Sequence, residues 1–226
     1  MTVKRISIRD GRFRKLVEGR EVLLDSDTLD VVILNAASIS RLHYGLEYDP
    51  TKGNHPRCWS SDTQVPDRSV PADQLQAASC ITCEQNIKGS GVGNSRACKF
   101  LQRIAVAIID EDNLYDVYQL QLPATSLFGT AERGWLSMQN YAKHLARHDT
   151  PAIAVVTRIC FEQNSYAPRL RFRPMRVLDA TELKEVAELE HHPDTLKAIT
   201  MSVPEARSIA VSPFSEVEGF VASKAI

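Results

Sequence analysis

From Gly45 to about Ala97 the chain loses all hydrophobic periodicity. Pro, Gly, Ser, Asn, Asp and Cys dominate a stretch of roughly fifty residues, far longer than the usual connection between elements. A segment so poor in apolar residues cannot bury a core of its own and needs another staple. With its immediate flank it holds four of the five cysteines, Cys58, Cys80, Cys83 and Cys98, in the order C-x21-C-x2-C-x14-C. A Cys-x2-Cys knuckle lets two thiolates bind one tetrahedral ion, and two further cysteines close the site. Zinc held in this way contributes on the order of 10 kcal/mol to ordering a segment. The spacing predicts a structural zinc, because four protein ligands leave no open position for substrate. Disulfides, a redox Cys-x2-Cys and unrelated free thiols are the competing readings, and His55, three residues before Cys58, is an alternative fourth ligand. Cys160, inside IAVVTRICF, reads as a small buried apolar residue.

The flanks are regular. Apolar runs over 4–9 and 12–24 are broken at Asp10-Gly11 and Glu18-Gly19, dipeptides that favour hairpin turns. DVVILNAA (30–37), RIAVAII (103–109), LYDVYQLQL (114–122), IAVVTRICF (153–161) and 170–178 read as strands. Residues 131–148 carry Trp135, Met138, Tyr141, Ala142 and Leu145 at helical spacing, which places Trp135 and Tyr141 in the core, and Thr181 opens a second helix over 181–190. We expect a mainly β, α+β fold: a closed antiparallel β-barrel of the oligonucleotide/oligosaccharide-binding (OB) type, with the cysteine segment as an insertion. One helix precedes the last strand pair and another follows it. The divisions are 1–44 (first barrel strands), 45–102 (zinc-binding insertion), 103–180 (remaining strands and helix) and 181–226 (C-terminal helix and weakly acidic tail).

Charge is unevenly spread although the net charge is only −1. Residues 1–20 carry seven basic side chains against two acids, and 179–226 carry nine acids against four Lys or Arg. A globally basic, histone-like binder is excluded, whereas local basic surfaces are not. No apolar run approaches the length of a membrane helix, and the Arg-rich start alternates at strand period, unlike a presequence. We therefore expect a cytoplasmic protein without a membrane partner. Lys88, Arg96, Lys99 and Arg103 surround the pliable GSGVG loop opposed only by Glu84, an arrangement suited to phosphate contacts; without a following Gly-Lys-Ser/Thr it is no P-loop. Arg169, Arg171 and Arg173 alternate with Leu170 and Phe172 and so share one strand face. Arg41, Tyr44, Tyr48 and Trp59 are candidate contacts and stacking platforms for unpaired bases. His144 and His148 lack the Glu of H-E-x-x-H, and G-x-S-x-G is absent, so a non-catalytic protein is expected.

The blocks HPRCWSSDTQVPD, CITCEQN, GSG, RACKF, LQLPATSLFG, YAKHLARH and AVVTRICF, closing with LRFRPMRVL, resemble a group of bacteriophage single-stranded DNA-binding proteins over roughly residues 1–180. The resemblance implies an OB-fold with a zinc-bearing insertion, Cys58, Cys80, Cys83 and Cys98 as zinc ligands, and single-strand binding in phage replication or recombination. Such proteins tend to end in a dense acidic tail that recruits replication enzymes; GFVASKAI departs from that. A zinc-containing factor that docks on RNA polymerase or a replication enzyme is the alternative reading, with a nuclease third.

Overall fold

The structure is a computed structural model and describes residues 3–45, 56–109, 116–130, 133–163, 165 and 167–201. Its strands are β1 (Arg5–Arg9), β2 (Arg12–Val17), β3 (Arg20–Leu23), β4 (Thr28–Ala36), β5 (Ser40–His43), β6 (Cys58–Ser60), β7 (Lys99–Ile108), β8 (Val117–Pro123), β9 (Val155–Phe161) and β10 (Leu170–Val177). Its α-helices are α1 (Ala124–Leu127), α2 (Met138–Arg147), α3 (Ala180–Glu190) and α4 (Pro193–Ile199). The strands form one mixed sheet in the order β10-β9-β4-β7-β8-β1-β2-β3, with β5 and β6 branching from β7.

The two N-terminal turns form as their sequences dictate. Asp10 and Gly11 have φ of 54° and 67°, and Glu18 and Gly19 have 50° and 80°. Two consecutive left-handed residues give the turn whose twist matches a hairpin, so Arg9 faces Arg12 and Val17 faces Arg20.

β4 is a nearly continuous apolar run because both of its faces are covered. Val31 and Ile33 join Ile104, Val106, Leu120 and Phe172 in the main core, which α2 closes with Tyr141 and Leu145. Val32 and Leu34 point the other way, against Ala105, Ala107 and Val156 and the C-terminal residues Leu178, Val186, Leu189 and Ala198. Small alanines on β7 leave room for α4, whose Ala198 carbonyl accepts a 2.6 Å hydrogen bond from Gln119 Nε2. Bulges interrupt β4 between Ile33 and Asn35 and β10 between Pro174 and Arg176.

Four expectations change. Among the described residues ten strands form, and β1 pairs with β8 in parallel, so the sheet is mixed where an antiparallel one was expected. Among the described residues no pairing joins β10 to β3, and the strand path is open where a closed barrel was expected. The first long helix begins at Met138, seven residues later than expected. Leu136 instead exchanges backbone hydrogen bonds with Phe172 at 3.0 and 2.9 Å, which takes Trp135 off the helix. Finally, α3 and α4 are a structural layer over the sheet. No helix of the described residues is long and apolar enough to cross a membrane.

A capping box starts α3. Asp179 Oδ1 accepts from the N–H groups of Thr181 and Glu182 at 2.8 and 2.9 Å, and Glu182 accepts from the Asp179 N–H at 2.9 Å. Both oxygens of Glu182 also accept from Arg176 at 2.6 Å. These bonds, the Arg176 ones foremost, hold the Glu182 carboxyl at about 2, against an ordinary 4.5. A value depressed by folding stabilises above the ordinary value and is lost as pH falls toward the folded one. We expect an acid-labile contribution that fades between pH 4.5 and about 2. Thermal melts of Glu182→Gln across that range should show a shallower acid limb than the parent chain.

Candidate metal centre and nucleic-acid interface

The cysteine segment hangs from the sheet through β5. His43 faces Cys58 and Arg41 faces Ser60 on one side, while Arg41 faces Phe100 on the other. Cys98 immediately precedes β7, and its N–H donates to Gln85 O at 2.8 Å. Between these strands run side-chain-stapled turns. Asp62 accepts from Gln64 N, Val65 N and Ser60 Oγ at 2.7, 3.1 and 3.0 Å. Cys80 N donates to Gln64 O, and Asn86 N to Cys83 O. Asn86 Nδ2 secures the Cys80 carbonyl at 3.0 Å. Apolar support is confined to a small cluster of Leu42, Cys58, Trp59, Val70 and Leu101. Gly91 is obligatory for packing: a Cβ there would stand 2.7–2.9 Å from Ser95 Oγ and from the backbone of Arg96 and Ala97, next to Cys98.

All four sequence-predicted ligands line one cavity of about 20 Å³, together with Arg41 and His43. That volume suits about one water-sized sphere, which is also the scale of a single ion. None of the five cysteines is disulfide-bonded. Among the described residues, no group of three or more His, Cys, Asp or Glu already stands as a metal would hold it, so the thiols surround the cavity without converging on a point in it. Burial pushes the thiols of Cys58 and Cys80 up and that of Cys98 to about 11. Opposing this, the N–H groups of Gln76 and Trp59 favour the Cys58 thiolate, the Ser60 hydroxyl that of Cys80, and the Arg41 charge those of Cys80 and Cys98. A metal would have to displace the protons. The donor set fits zinc: four soft sulfurs, one ion-sized cavity and a buried cation beside them. His43 and Arg41 belong to this environment, a role their sequence context did not signal.

The expected nucleic-acid contacts divide into exposed and buried groups. Lys88, Arg96 and Lys99 are exposed on the cysteine segment; Arg96 Nε donates to Asn86 O at 2.7 Å and Lys99 Nζ to Ser95 Oγ at 2.9 Å. Arg41, Arg103 and Trp59 are buried and cannot meet a ligand at the surface. Arg103 turns toward Ser40 Oγ, and Trp59 Nε1 donates to Ser69 Oγ at 3.2 Å. Tyr44 is half-buried beside the small cluster. Tyr48 and His55 lie outside the described residues. Arg169, Arg171 and Arg173 do share a face opposite the fully buried Leu170 and Phe172, but Glu162 engages the first two at 2.6 and 2.5 Å. Only Arg173 remains exposed, with its guanidinium 5.8 Å from the centre of the Trp135 ring.

Trp135, read from the sequence as helical core, is half-buried and lines a groove of about 660 Å³ with Arg133, Cys160, Phe161, Glu162 and Arg171. A second groove of about 480 Å³, lined by Arg9 and Arg169, shares Gly11, Phe161 and Glu162 with the first. Together they form a trough between the β1–β2 turn and the β9–β10 pair. Trp135 and Phe161 supply aromatic surface, Arg9, Arg133, Arg169 and Arg171 supply cations, and Asp10, Asp27 and Glu162 supply carboxylates; Arg173 stands near Trp135 outside the lining of the trough. Half-buried Cys160 also lines it, with its thiol pushed up by burial to about 11. No family model, curated protein or solved structure matches this chain.

Arg171 and Arg173 therefore should behave oppositely. Arg171→Glu sets a second carboxylate against Glu162 in a nearly buried pair, and breaking such a pair costs about 3–5 kcal/mol. Arg173→Glu changes an exposed site and should stay within about 0.5 kcal/mol of the parent. Urea unfolding of the two variants checks the contrast.

Proposed function

We propose that this chain is a non-catalytic single-stranded DNA-binding protein with a structural zinc held by Cys58, Cys80, Cys83 and Cys98. The observation that carries the binding role is the trough lined by half-buried Trp135, Phe161 and the exposed Arg133, with the exposed Arg173 guanidinium 5.8 Å from the centre of the Trp135 ring. Unpaired bases stack on aromatic faces while cations track the phosphates, a mode tolerant of sequence. Lys88, Arg96 and Lys99 extend the positive surface onto the cysteine segment. An OB-type sheet is the finer form of the fold that goes with this reading, its coiling aided by the bulges in β4 and β10. A place in phage DNA replication or recombination, in the host cytoplasm, follows from the sequence resemblance.

Zinc supplies a closed tetrahedral crosslink when bound. The chain provides the thiols, the N–H groups that favour their anionic form, and an ion-sized cavity. Stripping metal with a chelator should release zinc equimolar with protein and make 56–98 the first segment cut in limited proteolysis. A chain purified with no zinc, and unchanged by chelator, would overturn the metal reading.

Anisotropy titration with labelled oligo-dT and duplex DNA at two salt concentrations tests the binding reading. Tight, salt-sensitive binding to oligo-dT with weak duplex binding is expected. Trp135→Ala should lose about 1–3 kcal/mol of affinity, and Arg173→Glu should lower the salt slope by about 1, each with unchanged circular dichroism. No binding at low salt would sink the proposal.

One observation favours the second reading, docking on a polymerase or replication enzyme. Ile81, Ile87 and Val92 are 63%, 60% and 95% exposed on the cysteine segment, and solvent-facing apolar groups of this size mark interaction surfaces when contiguous. Ile87→Ser/Val92→Ser leaving oligo-dT affinity intact while abolishing binding to a purified polymerase would assign that surface to protein.

A further inference from the structure

We propose that Arg41 is the charge partner of the thiolate cluster: its guanidinium donates N–H···S hydrogen bonds to the zinc-holding cysteines and sets their affinity for the metal. This rests on the zinc reading above.

Arg41 is only 8% exposed, yet its Nε and Nη1 have no hydrogen-bond partner. No carboxylate among the described residues pairs with it. A buried, unpaired cation is strongly disfavoured, and buried N–H donors without acceptors are rare enough to need an explanation. The guanidinium carbon stands 4.2 Å from the centre of the Phe100 ring. A contact with the ring leaves Nε and Nη1 without an acceptor. Ser60 and Phe100 flank Arg41 on the neighbouring strands, so the side chain is held against the cavity that all four thiols line.

The missing acceptors are the sulfurs of the metal-loaded site, since without metal neither nitrogen bonds a sulfur. Four thiolates around a divalent zinc carry a net charge of about −2, which is unfavourable to bury without neighbouring donors or cations. One guanidinium halves that charge and satisfies its own orphaned donors in the same step. A lysine would supply the charge but not the planar fork that can lie on Phe100 while its edge meets sulfur.

The test uses the full chain, with its zinc content measured first. A parent chain that holds no zinc defeats the zinc reading itself, separately from the role of Arg41. In the zinc-loaded parent, competition with a chromophoric chelator gives the affinity and the pH of half-release. Arg41→Met, which keeps the bulk on Phe100, should lower zinc affinity roughly 10–100-fold, as losing a partner of a metal ligand does. Its half-release should also move to higher pH, because the thiols lose the cation that favours deprotonation. Arg41→Lys should recover part of both. Equal affinity and an equal release midpoint in Arg41→Met would overturn the proposal. Should Arg41→Met fail to fold, the parent chain loaded with an NMR-active cadmium isotope decides the matter: a through-hydrogen-bond coupling between the metal and a guanidinium N–H of Arg41 supports the assignment, and its absence in resolved Arg41 signals overturns it.

Discussion

The two-sided burial of the β4–β7 pair is the constraint on which the other elements depend. Ile33 and Val106 face α2 and the N-terminal hairpin, while Val32, Leu34, Ala105 and Ala107 face α3 and α4. A strand buried on both faces fixes its register firmly, because a slip of one residue exchanges whole side-chain sets between differently shaped layers. Large residues on one face and alanines on the other make that exchange especially unfavourable here. From this pair the sheet grows outward in both directions: β9 and β10 pair beyond β4, and β8 with the β1–β2–β3 ribbon beyond β7.

The cysteine segment stands outside that core and is physically different from it. It is anchored by two short strands and a five-residue apolar cluster, and most of its remaining order comes from side-chain-to-backbone bonds around Asp62, Ser90 and Asn86. Such bonds fix local turns but contribute only about 1 kcal/mol each to net stability. The segment's described residues also include five exposed large apolar side chains, Val65, Leu75, Ile81, Ile87 and Val92. A covalent-strength crosslink among the four thiols would account for how so little core holds so many residues.

What was legible in the sequence follows from how local each signal is. The Asp10-Gly11 and Glu18-Gly19 turns, the β4, β7, β9 and β10 strands and α3 all announce themselves within a window of ten residues, and all appear, although α3 is capped by Asp179 and not at Thr181. β5 and β6 did not, because they are four and three residues long and exist through non-local pairing, β5 with β7 and β6 with β5. The parallel β1–β8 contact is likewise non-local. Trp135 was misplaced because its helical spacing from Met138 was coincidental: backbone bonds between Leu136 and Phe172, more than thirty residues away, outweigh the periodicity. Spacing and composition grouped the four thiols, and all four line one cavity. The burial of Arg41, Arg103 and Trp59 was not legible, since a cation or an aromatic near a turn reads as surface until its strand partners are known. Glu162 had no motif around it, yet it decides which arginines of β10 stay available.

The cysteine cavity and the trough are contiguous through aromatic packing. Arg41 lies on Phe100, and Phe100 meets the edge of Phe128 at 5.9 Å between ring centres. Phe128 ends α1, and the next carbonyl, of Gly129, accepts from Ser137 Oγ and Asn140 Nδ2 at 3.3 and 2.7 Å, which ties the connection carrying Trp135 to the start of α2. The order of these contacts has a physical consequence. A change in charge or packing at Arg41 acts first on Phe100, because a cation over a ring is held by both the sheet and the cavity. It acts next on Phe128, which is largely exposed and has few other restraints. Trp135, by contrast, sits beside the backbone bonds between Leu136 and Phe172, at 3.0 and 2.9 Å. A change at Arg41 therefore reaches Phe128 through Phe100, whereas the aromatic platform keeps an anchor of its own on β10.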